Sequence, residues 1–237
     1  MAKLKALLFD VDGTLADTER DGHRIAFNKA FAAAGLDWVW TVEIYAELLS
    51  VTGGKERIKH YLNTHNPVLP TQEDLEGFIT GLHKSKTRFY TDALKHGEIP
   101  LRPGVERLIR QARAAGLKVG VATTTTPDNV TALIEYSIGL DALDWFDVIA
   151  AGDVVPAKKP APDIYIYAMD QLGLAACHCV AFEDSENGVY SARDAGIGTI
   201  LVTVNDYTRG QDFADATLVL DSMGEPDAPF EVLAGDA

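Results

Sequence analysis

The 237 residues are 47% hydrophobic and 24% charged, a composition that fits a soluble globular chain and excludes a disordered or fibrous one. With 35 acidic against 21 basic residues the formal net charge is −14, which works against nucleic acid and anionic membrane as partners, because both are bound through a basic footprint. An anionic ligand would need a few local Lys, Arg or backbone N–H groups, or a metal, to outweigh that field. Cys177 and Cys179 are one residue apart, a poor disulfide spacing, and no further Cys/His cluster completes a zinc site. Met1–Leu8 lacks the apolar core of a signal peptide, and nothing approaches 18 consecutive apolar residues. The expectation is a cytoplasmic protein with reduced thiols.

In chain order, Leu4 to Val11 (LKALLFDV) is a short apolar run that predicts a strand ending at Phe9, directly before an acidic loop. From about Asp17 to Leu94 the pattern turns helical, with long stretches at His23–Ala34 and Leu75–Lys95 and no clear strand. This predicts a helical insert over 17–95, with hinges near Ala16–Glu19 and Lys95–Leu101, in a core domain built from 1–16 and 96–237. The core resumes with a helix at Val105–Ala115, which follows Pro103-Gly104 and stops at Gly116, and a strand within Gly116–Ala122. Strand candidates at Val148–Ala150, Cys177–Phe182, Gly198–Val204 and Ala216–Leu220 alternate with helices at Asp163–Leu172 and Gly188–Ala195. Such alternation predicts an α/β fold with a Rossmann-like parallel sheet. The tail from Gly224 has no periodicity and is left unassigned.

Four short segments carry chemistry, each after a predicted strand or before a predicted helix. Asp10-Val11-Asp12-Gly13-Thr14 follows the first strand, where the carboxyl ends of a parallel sheet form the ligand crevice. Two carboxylates two residues apart can divide labour, one attacking phosphorus or binding metal, the other moving a proton. Gly13 allows a tight turn that would bring N–H groups near a phosphate. The same residues also suit an ordinary Asp-rich turn. Thr123 and Thr124 end the next strand, where a hydroxyl can hold a phosphoryl oxygen. Thr126 or Asp128 ahead of the following helix equally suits a cap. Lys158-Lys159-Pro160 offers fixed positive charge for equatorial phosphoryl oxygens, with Lys159 the better placed, although loop lysines are commonly solvated. Glu183-Asp184 either opens an ordinary Asp-initiated turn or would supply oxygen ligands suited to Mg²⁺: Asp10 and Asp184 directly, the Asp12 backbone carbonyl as a third, and Glu183 through water.

The order of these segments resembles the haloacid dehalogenase-like superfamily, in the branch with a helical cap inserted after the first motif. The signatures are DVDGTLADT from Asp10, VATTT before Thr126, KKPAPDIY from Lys158 and FEDSENG from Phe182, spanning nearly the whole chain. The resemblance implies a Mg²⁺-dependent phosphohydrolase in which Asp10 is the covalent nucleophile and Asp12 the general acid and base. Thr123 and Lys159 would hold the phosphoryl oxygens. An acid at Asp12 argues against the dehalogenases of the superfamily.

Further stretches are similar to the CbbY proteins of Calvin-cycle organisms: ADTERDGHRIAFNKAF from Ala16, LDWVW from Leu36, TGGKERI from Thr52 and AAGDVVPAKKPAPDIY from Ala150. That family is implied to dephosphorylate xylulose-1,5-bisphosphate, an inhibitor of Rubisco, to xylulose 5-phosphate. Glu19 and His23, one helical turn apart, would bind sugar hydroxyls or form a helix-surface pair. After Gly53-Gly54, Lys55 or Arg57 would clamp the distal phosphate or stand as surface charge. Lys84 and Lys86 are unranked candidates, and Trp38 and Trp40 are expected to pack. A sugar phosphomutase similar to β-phosphoglucomutase is the rival activity, although five residues separate Thr18 from His23 where that family has four. A non-catalytic module on the same fold would be expected to lose Asp10, Asp12, Lys159 or Asp184, and all are present. A small sugar phosphate is the expected partner, and a monomer the expected state.

Overall fold

The computed structural model describes residues 3–51, 53–70 and 73–235; Thr52 of the TGGKERI stretch lies outside them. The chain divides into two compact units, 1–17 with 99–237, and 18–98.

The first unit is a seven-stranded sheet. Its strands are β1 (Ala6–Phe9), β2 (Lys118–Ala122), β3 (Val148–Ala150), β4 (Cys179–Glu183), β5 (Ile200–Thr203), β6 (Leu218–Leu220) and β7 (Val232–Gly235), in the order β3-β2-β1-β4-β5-β6-β7. The first six run parallel, and β7 pairs antiparallel to β6. All four residues of β1 are buried, as an apolar run in the middle of a parallel sheet must be when helices cover both faces. Its register sets Phe9 beside Val121 on one flank and Phe182 on the other. The Phe9 and Phe182 rings stack at 4.6 Å. After β1 the chain works outward through β2 and β3, then crosses back to β4 on the other side, so a topological switch point lies beside β1.

Helices between the strands follow the 3.6-residue pattern. In Val105–Ala114, the buried positions Val105, Ile109 and Ala112 form one stripe. Asp163–Leu172 ends at Gly173, which takes the left-handed conformation at φ 66°. Glu186–Asp194 is capped by Ser185, whose hydroxyl accepts from Gly188 N at 3.3 Å. The tail from Gly224 is not structureless. Its four strand residues are exposed and do not alternate, so they left no pattern in the sequence, yet they complete the sheet edge against β6.

The 18–98 unit is helical, and no strand lies among its described residues. A π-helical turn, Thr18–His23, runs into α1 (Arg24–Ala33), followed by α2 (Val42–Leu48), α3 (Gly54–His65) and α4 (Leu75–Lys95). Asp74 caps α4 by accepting from Gly77 N at 2.8 Å. Trp38 and Trp40 do pack: Trp40 lies 4.5 Å from Phe27, 4.9 Å from Phe31 and 5.4 Å from Tyr61, and Trp38 lies 5.3 Å from Phe31. Among the described residues, no helix is long and apolar enough to cross a membrane.

Candidate active site

The site is assembled where β1, β2 and β4 end. β1 delivers Asp10, whose N–H bonds Phe182 O at 2.9 Å, so the loop begins already tied to the neighbouring strand. Within that loop Gly13 N bonds Ala16 O at 2.8 Å and Leu15 N bonds Val11 O at 2.9 Å. The turn is therefore as tight as expected, but Gly13 does not offer its own N–H to a phosphate, because the turn consumes it. What Gly13 provides is room. Its φ is +87°, and a Cβ there would sit 2.0 Å from Asp184 Oδ2. Asp12 stands half-exposed on the same loop.

β4 ends in Glu183, fully buried, and continues into Asp184. One ligand atom each from Asp10, Glu183 and Asp184 lie within 4.8 Å of one another. Lys159 arrives from the loop ahead of Asp163–Leu172 and bridges two of them, with Nζ 2.7 Å from Asp10 Oδ1 and 2.6 Å from Glu183 Oε1. Lys158 turns away to Asp153 at 2.7 Å and to the Gly152 carbonyl. Thr123 is buried at the end of β2, and its hydroxyl oxygen accepts from Thr125 N at 3.3 Å, which leaves its proton to donate. Thr124 is exposed. The capping alternative for this segment is not realised through a side chain: Thr126 is the N-cap residue but makes no side-chain cap bond, and Pro127 opens the helix.

Charge at the site is unbalanced. Burial, then the Asp10 charge, push the Glu183 carboxyl up to about 7 despite Lys159. Burial, then the Asp10 and Glu183 charges, hold Asp184 well above the usual carboxylate range. Burial works against the Lys159 ammonium, but Asp10 and Glu183 outweigh it and keep its pKa above the ordinary lysine value. The directions agree in only one way: the ammonium stays charged, and three acids around one cation leave surplus negative charge that lifts the carboxyls. Glu183 Oε2 is buried without a hydrogen-bond partner among the described residues, in a space that a Cβ on Gly188 would enter at 1.9 Å. An all-oxygen donor set with net negative charge and an unsatisfied buried oxygen fits a hard divalent cation such as Mg²⁺.

Three supporting residues were not singled out in the sequence. The Tyr165 hydroxyl donates to Glu183 Oε1 at 2.5 Å. Asn205, just past β5, donates from Nδ2 to Asp184 Oδ2 at 2.7 Å. Buried Arg102 donates to the Gly13 carbonyl, to Thr203 O at 2.8 Å and to Val204 O at 2.6 Å. Two of them carried a signal: Asn205 follows a predicted strand, and Tyr165 closes the KKPAPDIY stretch.

In the 18–98 unit, Glu19 and His23 do not form a helix-surface pair. Tyr45 donates its hydroxyl to Glu19 Oε2 at 2.5 Å and accepts from Arg57 Nη1 at 2.7 Å. Burial acts to raise the Glu19 carboxyl, but neighbouring positive charge and the Tyr45 bond outweigh it and hold it low. His23 stacks on Tyr90 at 4.0 Å, and its Nδ1 lies 2.8 Å from Lys86 Nζ. Burial first takes the His23 ring down to about 3, so at neutral pH it accepts from Lys86, and Arg57 rather than His23 keeps Glu19 ionised. Lys86, not Lys84, thus belongs to this cluster. Lys55 is exposed. Gly54 opens α3 against His83, whose ring a Cβ would meet at 2.4 Å.

The fold and the site define a class. The haloacid dehalogenase-like hydrolase profile matches residues 4–196, and the chain belongs to that family. Within it the chain is closely related to the CbbY proteins. It is 51% identical to Protein CbbY of Rhodobacter capsulatus over 215 residues, 90% of this chain and 91% of that one. The crystal structure of CbbY from Rhodobacter sphaeroides in complex with phosphate matches with a TM-score of 0.76 at 46% identity, over 93% of this chain and 95% of that one. A mutant of the same protein, crystallised with xylulose-(1,5)bisphosphate, matches at 0.75 with the same identity and coverage. The chain is thus a hydrolase with an acidic cluster suited to Mg²⁺.

Proposed function

We propose that the protein is a Mg²⁺-dependent phosphatase that converts xylulose-1,5-bisphosphate to xylulose 5-phosphate through a phosphoaspartate on Asp10. The observation that carries this reading is the Lys159 ammonium wedged between Asp10 and Glu183 at the strand ends, beside Asp184. The choice of bisphosphate rests on kinship with a CbbY protein crystallised with it.

In the first half-reaction an Asp10 carboxylate oxygen attacks phosphorus and the bond to the sugar oxygen breaks. Asp12 gives its proton to that leaving oxygen. In the second, Asp12 takes a proton from water, the water oxygen attacks the same phosphorus, and orthophosphate leaves with Asp10 restored. Lys159 aims Asp10 and offers fixed positive charge to the phosphoryl oxygens, and the Thr123 hydroxyl donates to one of them, with Thr124 at the rim. When bound, Mg²⁺ supplies the positive charge that the three carboxylates lack; Asp10, Asp184, the Asp12 backbone carbonyl and, through water, Glu183 would hold it. Within the 18–98 unit, Glu19 and His23 would be the groups to meet sugar hydroxyls. For the distal phosphate, Lys55 is the stronger candidate beside Gly54, because Arg57 is already engaged by Tyr45 and Glu19.

The test is phosphate release with Mg²⁺ across xylulose-1,5-bisphosphate, ribulose-1,5-bisphosphate, fructose-1,6-bisphosphate and β-glucose 1-phosphate, with Asp10→Asn as the blank. The expected result is a kcat/KM for the xylulose compound at least about a hundredfold above the others. Equal rates would remove the specific substrate and leave the general phosphatase. Conversion of β-glucose 1-phosphate to the 6-phosphate would replace the reading with a mutase.

A further inference from the structure

We propose that Asn205 is a positioning residue for the divalent cation: its side-chain amide fixes the rotation of the Asp184 carboxylate, holding Oδ2 so that Oδ1 is left for the metal. The inference rests on the Mg²⁺ reading of the site and adds the β5 end to the strand ends that build it.

An asparagine amide can face either way, and its neighbours decide which. Here Tyr207 N donates to Asn205 Oδ1 at 2.9 Å, a contact only the oxygen can accept. The nitrogen is thereby turned to Asp184 Oδ2, 2.7 Å away. Asp184 Oδ1 makes no hydrogen bond among the described residues, so the two oxygens of this carboxylate are differentiated. The loop that carries the amide is itself closed. Asn205 N donates to Thr208 Oγ1 at 3.1 Å, Thr208 N returns to Asn205 O at 3.2 Å, and Thr208 is buried. Behind it Arg102 grips Thr203 O and Val204 O together with the Gly13 carbonyl, so the Asn205 loop and the Asp10–Gly13 loop hang from one guanidinium. Gly13 keeps the approach open, since a Cβ there would also meet Asn205 Nδ2 at 2.7 Å.

The chemistry asks for a neutral donor at this place. A lysine or arginine would satisfy Asp184 by neutralising it and would repel the cation. A second carboxylate would leave Oδ2 without a donor. An amide does neither: it occupies one lone-pair site and leaves the negative charge intact. Partners of this kind, one step out from the metal, are worth roughly 10–100-fold in metal affinity.

The experiment is a calorimetric Mg²⁺ titration of the substrate-free protein and of Asn205→Ser, whose hydroxyl can still accept from Tyr207 N but is too short to reach Asp184. The expected result is a Mg²⁺ Kd raised ~10–100-fold, with kcat recovering at saturating Mg²⁺ and the Tm in chelator close to that of the parent. A Kd within about twofold of the parent would overturn the inference while leaving the metal site standing. Absence of Mg²⁺ binding in the parent would overturn both. Asn205→Ala, titrated in the same way, decides the matter if the serine variant does not fold: the inference requires the same rise in Kd.

Discussion

In the 18–98 unit the charged groups around Tyr45 and His23 meet complements, although Arg57 Nε is buried without a hydrogen-bond partner among the described residues. Arg57 and Glu19 share the Tyr45 hydroxyl, and the Lys86 ammonium rests on His23 Nδ1, 5.1 Å above the Phe27 ring and 5.2 Å from that of Tyr90. In the sheet unit the arithmetic at the site does not close: Asp10, Glu183 and Asp184 surround the Lys159 ammonium, and Glu183 Oε2 has no hydrogen-bond donor among the described residues. Removing a member of the first cluster disturbs a finished structure. Removing a member of the second disturbs a site that needs another component. Stability should therefore report on the first, and chemistry on the second.

The sharpest way to break this contrast is Lys159→Met. It removes the one fixed cation at the nucleophile, and turnover at saturating Mg²⁺ is expected to fall by ~10²–10³. A loss under tenfold would show that Mg²⁺ alone can replace the ammonium. Next in size is a pH effect. Glu183 titrates near 7 in the folded chain, against an unfolded value near 4.5, so between these limits the folded state binds the extra proton. With divalent cations chelated, stability is expected to fall as pH rises from about 4.5 to about 7, by roughly 3 kcal/mol at most. Lys159, whose pKa is raised, keeps its full contribution throughout that window and loses it only at strongly alkaline pH. Mg²⁺ competes with the proton, so its stabilising effect should grow over the same interval. Denaturant midpoints taken at several pH values, with chelator and then with Mg²⁺, check both parts; a flat chelator profile refutes the first.

Smaller still is Arg57→Ala. It takes a donor from the Tyr45 hydroxyl oxygen and a positive charge from beside Glu19, and is expected to cost about 1–3 kcal/mol in urea unfolding. An effect below ~0.5 kcal/mol would mean that the Tyr45-centred cluster is not tightly built. The smallest effect belongs to Lys158→Ala. Its partner Asp153 is fully solvated, so no measurable stability change and a kcat/KM within about twofold of the parent are expected. Loss of activity there would mean that the two adjacent lysines are not divided as the geometry divides them.

What the sequence made legible follows from locality. Asp10, Thr123, Lys159 and Glu183-Asp184 each sit next to a strand end or a helix start, and short apolar runs mark those places without knowledge of the partners. The β5 run marked Asn205 equally well, but a lone asparagine in a polar loop says nothing of an acid 21 residues earlier in the chain. Tyr165 closes the KKPAPDIY stretch, but on an amphipathic helix an aromatic residue reads as ordinary core, so its hydroxyl's partner was not legible. Arg102, between Leu101 and Pro103, has partners up to 119 residues away. In the helical unit, spacing placed Glu19 and His23 on one face, but the π-helical turn and the hydroxyl of Tyr45, 26 residues from Glu19, decide what they touch. The β7 tail failed for a different reason: an exposed edge strand has no buried face to impose alternation.

The central place of β1 has a consequence for biosynthesis. The Cα partners of Ala6 are Lys118 on one flank and Cys179 on the other, so β1 leaves the ribosome well before either neighbour and waits for both. At ~5–20 residues per second, β4 follows β1 by roughly 10–35 s, and Asn205 later still. For that interval the nascent chain carries its nucleophile without the lysine and acids that arm it. A ribosome that stalls before Glu183 releases a product with no completed catalytic centre, so premature termination there yields chemically silent fragments.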